Sequence, residues 1–211
     1  LTEAEATGAL LCLDVTEAVL DEAIALGHNL VISHHPLIFK GYKSITGKDY
    51  VERCILKAIK NDIVIYSAHT NLDNAYGGVN YKIAEKIGLK NLQVLEPKEN
   101  SLQDDLMQAG AGIVGELDEP ETELEFLKRI KKTFEVGCVR HNRLTGREIQ
   151  KVALCGGAGA FLLPQAIRAG ADVFITGEIK YHDYFGHEGD ILMAEIGHYE
   201  SEQYTKEIFY S

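Results

Sequence analysis

The feature that most constrains the fold is a pair of segments that repeat one pattern at a constant offset. The first contains Leu11-Cys12, Glu22-Ala-Ile-Ala-Leu-Gly27 and Leu30-Val-Ile-Ser33, and the second contains Leu154-Cys155, Gln165-Ala-Ile-Arg-Ala-Gly170 and Val173-Phe-Ile-Thr176. Matched positions are separated by 143 residues without a gap. In both, an apolar run is followed by a helical pattern that ends at glycine and by a run rich in β-branched residues. Each segment is therefore predicted to be a βαβ unit with parallel strands and a right-handed crossover.

The constant offset favours a duplication over a chance likeness between two βαβ units, because it holds from Leu11 to Ser33. We therefore predict an α/β fold of two similar lobes related by internal duplication, with mainly parallel sheets flanked by helices. The first lobe is assigned to residues 1–96 and the second to 111–211, with the polar segment 97–110 as the linker. Helical patterns are also present at 50–60, at 79–87 and at 121–133, where a charged amphipathic helix is expected on the surface.

The charge balance excludes some classes of function. The 211 residues carry a net charge of −11, which argues against a broad nucleic-acid surface. A small phosphorylated substrate is compatible with this charge, because bound cations reverse the local field. No apolar run is long enough to span a membrane. The four cysteines lack paired spacing, and Cys12 and Cys155 lie in apolar runs, so a reducing, cytoplasmic location is predicted.

Side chains with metal-binding chemistry follow several of the predicted strands. They are His34, His35, Asp73, His198 and Glu202. His198 and Glu202 are four residues apart, so in a helix they lie on one face and can reach one ion. His34 and His35 point in opposite directions on an extended segment, and Pro36 indicates a turn, so they can serve two adjacent ions. This mixture of nitrogen and oxygen ligands suits a pair of divalent transition metals better than a closed structural zinc site.

The predicted position of these residues supports one shared site. Parallel α/β sheets bind ligands beyond the carboxyl ends of their strands, which is where these side chains occur. Two lobes that face each other would bring them together, so a dinuclear metal site is predicted in the cleft between the lobes.

Other polar residues have two interpretations. His69 could orient a metal ligand through a hydrogen bond or be a half-buried structural histidine. His182, with Glu178 and Asp183 beside it, is an acid–base candidate because imidazole titrates near neutral pH, and a structural role explains it equally well. The loop Gly156-Gly-Ala-Gly159 could offer backbone amides to a phosphate, although tight packing of a helix against a strand explains it slightly better.

Several motifs together resemble the NIF-three-like family, whose members are also described as GTP cyclohydrolase I type 2 homologues. These motifs are Leu13-Asp-Val-Thr16, Ser33-His-His-Pro-Leu-Ile-Phe39, Ala68-His-Thr-Asn-Leu-Asp73, Cys155-Gly-Gly-Ala-Gly159, Thr176-Gly-Glu-Ile-Lys-Tyr-His-Asp183 and Gly197-His-Tyr-Glu-Ser-Glu202. The resemblance runs from about Gly8 to the end of the chain. It implies a two-lobed α/β fold, a dinuclear metal site and a toroidal homohexamer.

The resemblance also implies how the metals are held. His34, His35, Asp73, His198 and Glu202 would bind two divalent ions per chain, with Glu202 bridging both. One ion would take His35 and Asp73, and the other would take His34 and His198. Zn, Mn and Fe all accept such mixtures of histidine and carboxylate.

The function implied by the resemblance is metal-dependent hydrolysis of a nucleotide or a related small phosphorylated molecule. A GTP cyclohydrolase-type reaction would open the imidazole ring of the purine and release formate, and a di-metal phosphoesterase is the alternative among enzymes. A non-catalytic metal-binding regulatory or scaffold protein is the alternative from another class, because ligands indicate binding and not turnover. Relative to the family, an N-terminal segment, an inter-lobe domain of longer members and a C-terminal strand are expected to be missing.

Overall fold

The computed structural model describes residues 5–98, 109–187 and 189–211. The chain divides into two compact units, Leu1–Asn71 with Thr205–Ser211, and Leu72–Tyr204. This division places residues 72–96, which the sequence assigns to the first lobe, in the second unit. The predicted lobes 1–96 and 111–211 stay a prediction, because most of the linker 97–110 lies outside the described residues.

The first unit contains a three-stranded parallel sheet in the order β1-β2-β3. Its strands are β1 (Ala9–Cys12), β2 (Leu30–Ser33) and β3 (Val64–Ser67). Its helices are α1 (Glu17–Leu26), α2 (Tyr50–Lys60) and a C-terminal helix, Thr205–Tyr210, that returns to β1. The short helix α3 (Thr70–Asp73) spans the boundary with the second unit.

Local signals explain why α1 forms and where it ends. The Thr16 hydroxyl accepts a hydrogen bond from the Val19 amide at 3.3 Å, which caps the first turn. The helix stops at Gly27, whose φ of 70° suits glycine because it has no Cβ. Leu20 and Ala23 are fully buried in the core of this unit. Burial of a side chain such as Leu20 contributes about 1.5–3 kcal/mol, so packing on the sheet dominates the stability of the helix.

The second unit contains a six-stranded sheet in the order β4-β5-β7-β8-β9-β6. Its strands are β4 (Lys90–Pro97), β5 (Gly110–Thr122), β6 (Arg140–His141), β7 (Glu148–Cys155), β8 (Val173–Thr176) and β9 (Leu192–Glu195). Its helices are α4 (Val79–Ile87), α5 (Glu123–Thr133), α6 (Leu163–Arg168) and α7 (His198–Glu202). Two 3-10 turns, Ala160–Leu162 and Tyr181–Tyr184, complete it.

This second sheet corrects the prediction of mainly parallel sheets. Only β7, β8 and β9 run parallel, whereas β4, β5 and β6 each join the sheet through antiparallel pairs. Pro97 and Gly110, the two ends of the predicted linker, pair with each other where β4 ends and β5 begins. Antiparallel neighbours need no crossover helix, so a short connection suffices between β4 and β5.

Both predicted βαβ units are present, with the same register. Ala9 pairs with Leu30 and Cys12 pairs with Ser33 in the first unit. At the same offset, Val152 pairs with Val173 and Cys155 pairs with Thr176 in the second. The common register supports the internal duplication, which stays a prediction.

The surface helix predicted at 121–133 is present as α5, and one of its faces is buried. Phe126, Leu127 and Ile130 enter the core of the second unit, while the charged face remains exposed. Thr122 and Glu125 form a reciprocal capping box that fixes the start of the helix. None of the helices in the described ranges combines the length and the apolar character that crossing a membrane would need.

Candidate metal centre

In the first unit, the carboxyl end of β2 positions two neighbouring histidines. The amide of His34 donates to the Cys12 carbonyl at 3.2 Å, and the amide of His35 donates to the Leu13 carbonyl at 2.9 Å. The Ala68 amide donates to the Ser33 carbonyl at 2.9 Å. These bonds extend the strand pairing past the end of β2, so the backbone of the histidine pair is held rigidly at the sheet edge.

The ring nitrogens of both histidines are oriented by acceptors. His34 is fully buried, and its Nδ1 lies 2.8 Å from the Ala68 carbonyl oxygen. Because a carbonyl can only accept, Nδ1 carries the proton, and Nε2 of the neutral ring keeps the lone pair that a metal needs. His35 Nδ1 lies 2.8 Å from Asp14 Oδ1, which is the carboxylate–histidine arrangement typical of metal ligands.

His69 belongs to the same cluster. One ligand atom each from His34, His35 and His69 lies within 4.8 Å of the others. The His69 ring lies 5.3 Å from the His34 ring and 5.4 Å from the His35 ring, centroid to centroid. The Phe39 ring also packs edge-on against it at 5.9 Å, centroid to centroid. The first unit therefore brings three histidines together, and His69 is a candidate ligand as well as an orienting residue.

In the second unit, α7 carries His198 and Glu202 on one face, as their spacing predicts. His198 Nε2 lies 3.2 Å from Glu202 Oε2, one helical turn away. His198 Nδ1 lies 2.7 Å from Glu178 Oε1, so a carboxylate orients this ring too. Glu202 is buried, whereas the His198 ring is half-buried. The structure thus assigns to Glu178 a direct contact with a predicted metal ligand.

The charges around His198 favour a cation at this position. Its hydrogen bond to Glu202 raises the pKa of His198 to about 9, in spite of partial burial, and the charges of Glu202 and Glu178 act in the same direction. A proton and a metal ion would therefore compete for the His198 ring.

The glycine loop after β7 is explained by packing. The amides of Gly156, Gly157 and Gly159 donate to Asn80 Oδ1 at 2.9 Å, Ser201 Oγ at 3.0 Å and Thr176 Oγ1 at 3.0 Å. These three amides are therefore already used inside the protein, which favours the packing interpretation over a phosphate cradle. A Cβ at Gly157 would collide with the Glu202 carboxylate, and its φ of 61° also requires glycine.

Asp73 and Glu202 lie close to one buried thiol. Burial raises the pKa of Cys155 to about 12, and the charges of Asp73 and Glu202 raise it as well. The Asp73 carbonyl accepts a hydrogen bond from Asn80 Nδ2 at 3.0 Å, and Asn80 Oδ1 binds the glycine loop. Asn80 therefore fixes the end of α3 against the loop that faces Glu202.

His182 is an exposed residue in the turn Tyr181–Tyr184. Its ring packs against Tyr181 at 5.1 Å and Phe185 at 6.0 Å, centroid to centroid. The acid–base role predicted for His182 and Glu178 stays a prediction.

Sequence reasoning missed three residues that hold the site. Asp14, Asn80 and Ser201 orient a ligand or the glycine loop through side-chain hydrogen bonds. Asp14 could have been found, because it follows β1 at the same edge of the sheet as His34 and His35. Asn80 and Ser201 carry no comparable signal, since their partners are distant in the chain.

Comparison with known proteins gives one consistent family. The model of the Duf34/NIF3 (NGG1p interacting factor 3) family matches residues 1–211. A protein of Clostridium perfringens named GTP cyclohydrolase 1 type 2 homolog is 37% identical over 203 residues, which cover 95% of this chain and 75% of that protein.

Two solved structures are also similar. A Bacillus cereus protein related to NIF3 has a TM-score of 0.84 at 28% identity, covering 93% of this chain and 79% of its own. A Staphylococcus aureus hypothetical protein has a TM-score of 0.85 at 33% identity, covering 94% and 76%.

Proposed function

Since the chain belongs to the Duf34/NIF3 family, we propose that it binds two divalent metal ions and is a metal-dependent hydrolase of a nucleotide or a related small phosphorylated molecule. The relative named GTP cyclohydrolase 1 type 2 homolog supports this substrate class. The chain carries groups of histidine and carboxylate side chains that could hold a metal.

One observation carries the proposal. Three histidines, His34, His35 and His198, each have Nδ1 within 2.8 Å of an oxygen acceptor. In the neutral ring this arrangement leaves Nε2 as the donor to a metal, and the acceptor holds the ring against rotation. His141 Nδ1 also lies 2.6 Å from a carbonyl oxygen, so the arrangement supports a metal site only because His34, His35 and His198 lie in groups that could hold an ion.

The proposed ligands are His34 and His35 from the first unit and Asp73, His198 and Glu202 from the second. Three imidazole nitrogens and two carboxylates match the preferences of Zn, Mn and Fe, and Glu202 is proposed to bridge both ions. When bound, the ions would supply Lewis-acid activation of water and of the substrate. The burial of Glu202 supports a bridging role, because a buried carboxylate needs cationic partners to offset its desolvation.

The chain's own residues have distinct proposed tasks. Asp14 and Glu178 hold the rings of His35 and His198 at Nδ1. Gly157 allows the loop backbone to approach Glu202 closely. His182 is proposed to donate or accept a proton near the substrate, because it is exposed in the turn that follows Glu178.

The test is reconstitution of the full-length chain with Zn, Mn or Fe after chelation. Metal content per chain would be measured first, and turnover would then be assayed on a panel of nucleotides and phosphoesters. We expect two ions per chain and hydrolysis of at least one member of the panel. A stoichiometry of one ion per chain or less would contradict the proposal.

The same experiment separates the enzyme from a non-catalytic metal-binding scaffold. A scaffold would bind two ions and leave the whole panel unchanged. The half-buried ring of His198 favours the enzyme, because a substrate could approach this ligand. A structure of the metal-loaded protein would test the ligand set, since zinc would place ligand atoms at roughly 2.0–2.2 Å.

A further inference from the structure

A cavity in the second unit adjoins the residue that orients His198. It has a volume of about 330 Å³, and its lining consists of Ala158, Ala160, Phe161, Glu178, Lys180 and Asp183. This volume lies at the small end of the usual range for ligand sites, which is about 300–1,000 Å³. It therefore suits one ring system rather than a whole nucleoside triphosphate.

The chain after β8 presents two charged groups to this cavity. Glu178 and Lys180 both line the cavity, while Ile179 between them is buried in the core. The Glu178 amide donates to the Gly157 carbonyl at 3.0 Å, which fixes this segment against the glycine loop. The two side chains are thus held at the cavity by the backbone.

Phe161 supplies an aromatic surface at the same cavity. It lies in the turn Ala160–Leu162, next to the fully buried Leu162, yet 62% of its own surface is exposed. An exposed phenyl ring on a rigid turn contributes little to the core. It is suited to stacking on a flat ring, which every nucleobase offers.

The polar groups of the cavity complement the edge of a nucleobase. Glu178 uses Oε1 for His198, and a carboxylate has further lone pairs that can accept from a ligand. Asp183 adds a second acceptor, and Lys180 adds a donor. Two acceptors and one donor match a guanine edge, where N–H groups lie beside a carbonyl oxygen.

We propose that this cavity binds the planar nitrogen heterocycle of the substrate, with the ring stacked on Phe161 and its edge bonded to Glu178, Asp183 and Lys180. The inference rests on the proposed function for the substrate class. It adds the site of the base, and it makes Glu178 a residue shared by the base and by the ligand His198.

The experiment titrates guanosine, which lacks phosphate, into the full-length chain by calorimetry, with and without loaded metal. Phe161→Ala should weaken guanosine binding on the order of tenfold, because stacking of a base on an aromatic side chain is lost. Phe161→Tyr should restore it. Asp183→Asn should weaken guanosine more than inosine, which lacks the exocyclic amino group. Tyr210→Ala, which removes an exposed ring of the first unit, is the control and should bind guanosine as the unchanged chain does.

The outcomes separate the two proposals. Guanosine binding that is absent, or that is equal in Phe161→Ala and in the unchanged chain, would overturn the base site and leave metal binding intact. Guanosine binding that depends on Phe161 both with and without loaded metal would support the base site, whereas the metal-dependent function would fail in the separate test of metal content and turnover.

Discussion

The Nδ1 nitrogen of His35 is held 2.8 Å from Asp14 Oδ1, so removing this carboxylate tests whether the ring is oriented for a metal. Asp14→Ala should lower metal affinity by roughly 10–100-fold, because the ring loses the acceptor that fixes its tautomer and its direction. The measurement is competition for the metal with a chelator of known affinity.

Asp21→Ala is the matched control for this variant. Asp21 is a similarly exposed aspartate of the same unit, and it pairs with Lys57 at 2.6 Å. An exposed ion pair contributes about 0–1 kcal/mol to the stability of the fold, so this control should stay folded. Its metal affinity should be unchanged. Equal affinity in Asp14→Ala and Asp21→Ala would mean that Asp14 does not orient a ligand.

Glu202 and His69 should differ in their effect on metal content. Glu202→Ala removes the proposed bridge and should lower the content of both ions, whereas His69→Ala should leave more metal bound. Metal analysis of the two purified variants, folded by circular dichroism, makes the comparison. If both retain the same metal content, Glu202 is not the bridge.

The residues of the site differ in how far the sequence predicted them. His34, His35 and His198 follow strands, and the rule that parallel sheets bind ligands at their carboxyl edge was sufficient to select them. Glu178 was selected as a catalytic candidate, but its bond to His198 spans 20 positions and depends on the tertiary fold. The contact from Asn80 to Gly156 spans 76 positions and leaves no local pattern to detect.

At the scale of elements, Glu52 ties the start of α2 to the preceding loop. Burial raises the pKa of Glu52, but hydrogen bonds from Thr46, Gly47 and Lys48 outweigh it and lower the pKa to about 2, from the usual 4.5. Because the pKa is lower in the folded state, the Glu52 carboxylate stabilises the protein at any pH above its usual pKa of 4.5. This stabilisation is lost as the pH falls from about 4.5 to about 2.

The prediction for this element is a pH-dependent effect of Glu52→Gln. The variant should melt at a lower temperature than the unchanged chain at pH 6, and the difference should shrink as the pH approaches 2. Thermal unfolding across this pH range measures it. Glu22→Gln, on the exposed face of α1, should show no such difference. A difference that stays constant with pH would show that the Glu52 charge does not fix the loop.

Elements with a strong local signal were predicted most accurately. The helical pattern at 79–87 matches α4 at both ends. Its C-terminal end was marked by Gly88, which stops the helix with a φ of 82°. The long strand β5 was missed. Its residues do not alternate between buried and exposed, since α4 and α5 both pack on it, and its glycines interrupt the apolar run. Its pairing with β4 and β7 therefore could not be read from the sequence.

At the scale of the whole molecule, the first unit exposes apolar surface beside α2. A cavity of about 320 Å³ there is lined by Pro36, Leu37, Ile38, Ile55, Ala58, Ile59, Ile63, Ile65 and Ser67. Ile59 is 62% exposed although it lies on a regular helix. Exposed apolar side chains beside such a cavity, here Ile38 and Ile59, are typical of contacts between proteins. In the second unit, by contrast, the apolar face of α5 is already buried and its charged face is free to meet solvent.

The last prediction is that the chain assembles into a homohexamer through this apolar surface. A net charge of −11 per chain opposes close packing, but two divalent ions per chain would add about +4 and offset part of it. Light scattering on the metal-loaded protein should give six times the 23.3 kDa chain mass.

Ile59→Glu should lower this mass because it places a charge in the interface, whereas Asn61→Glu, an exposed change at the end of the same helix, should not. A chain that stays monomeric across micromolar concentrations would contradict the hexamer, and an unchanged mass in Ile59→Glu would assign the interface to another surface. Either result would leave the metal site intact, because its proposed ligands belong to one chain.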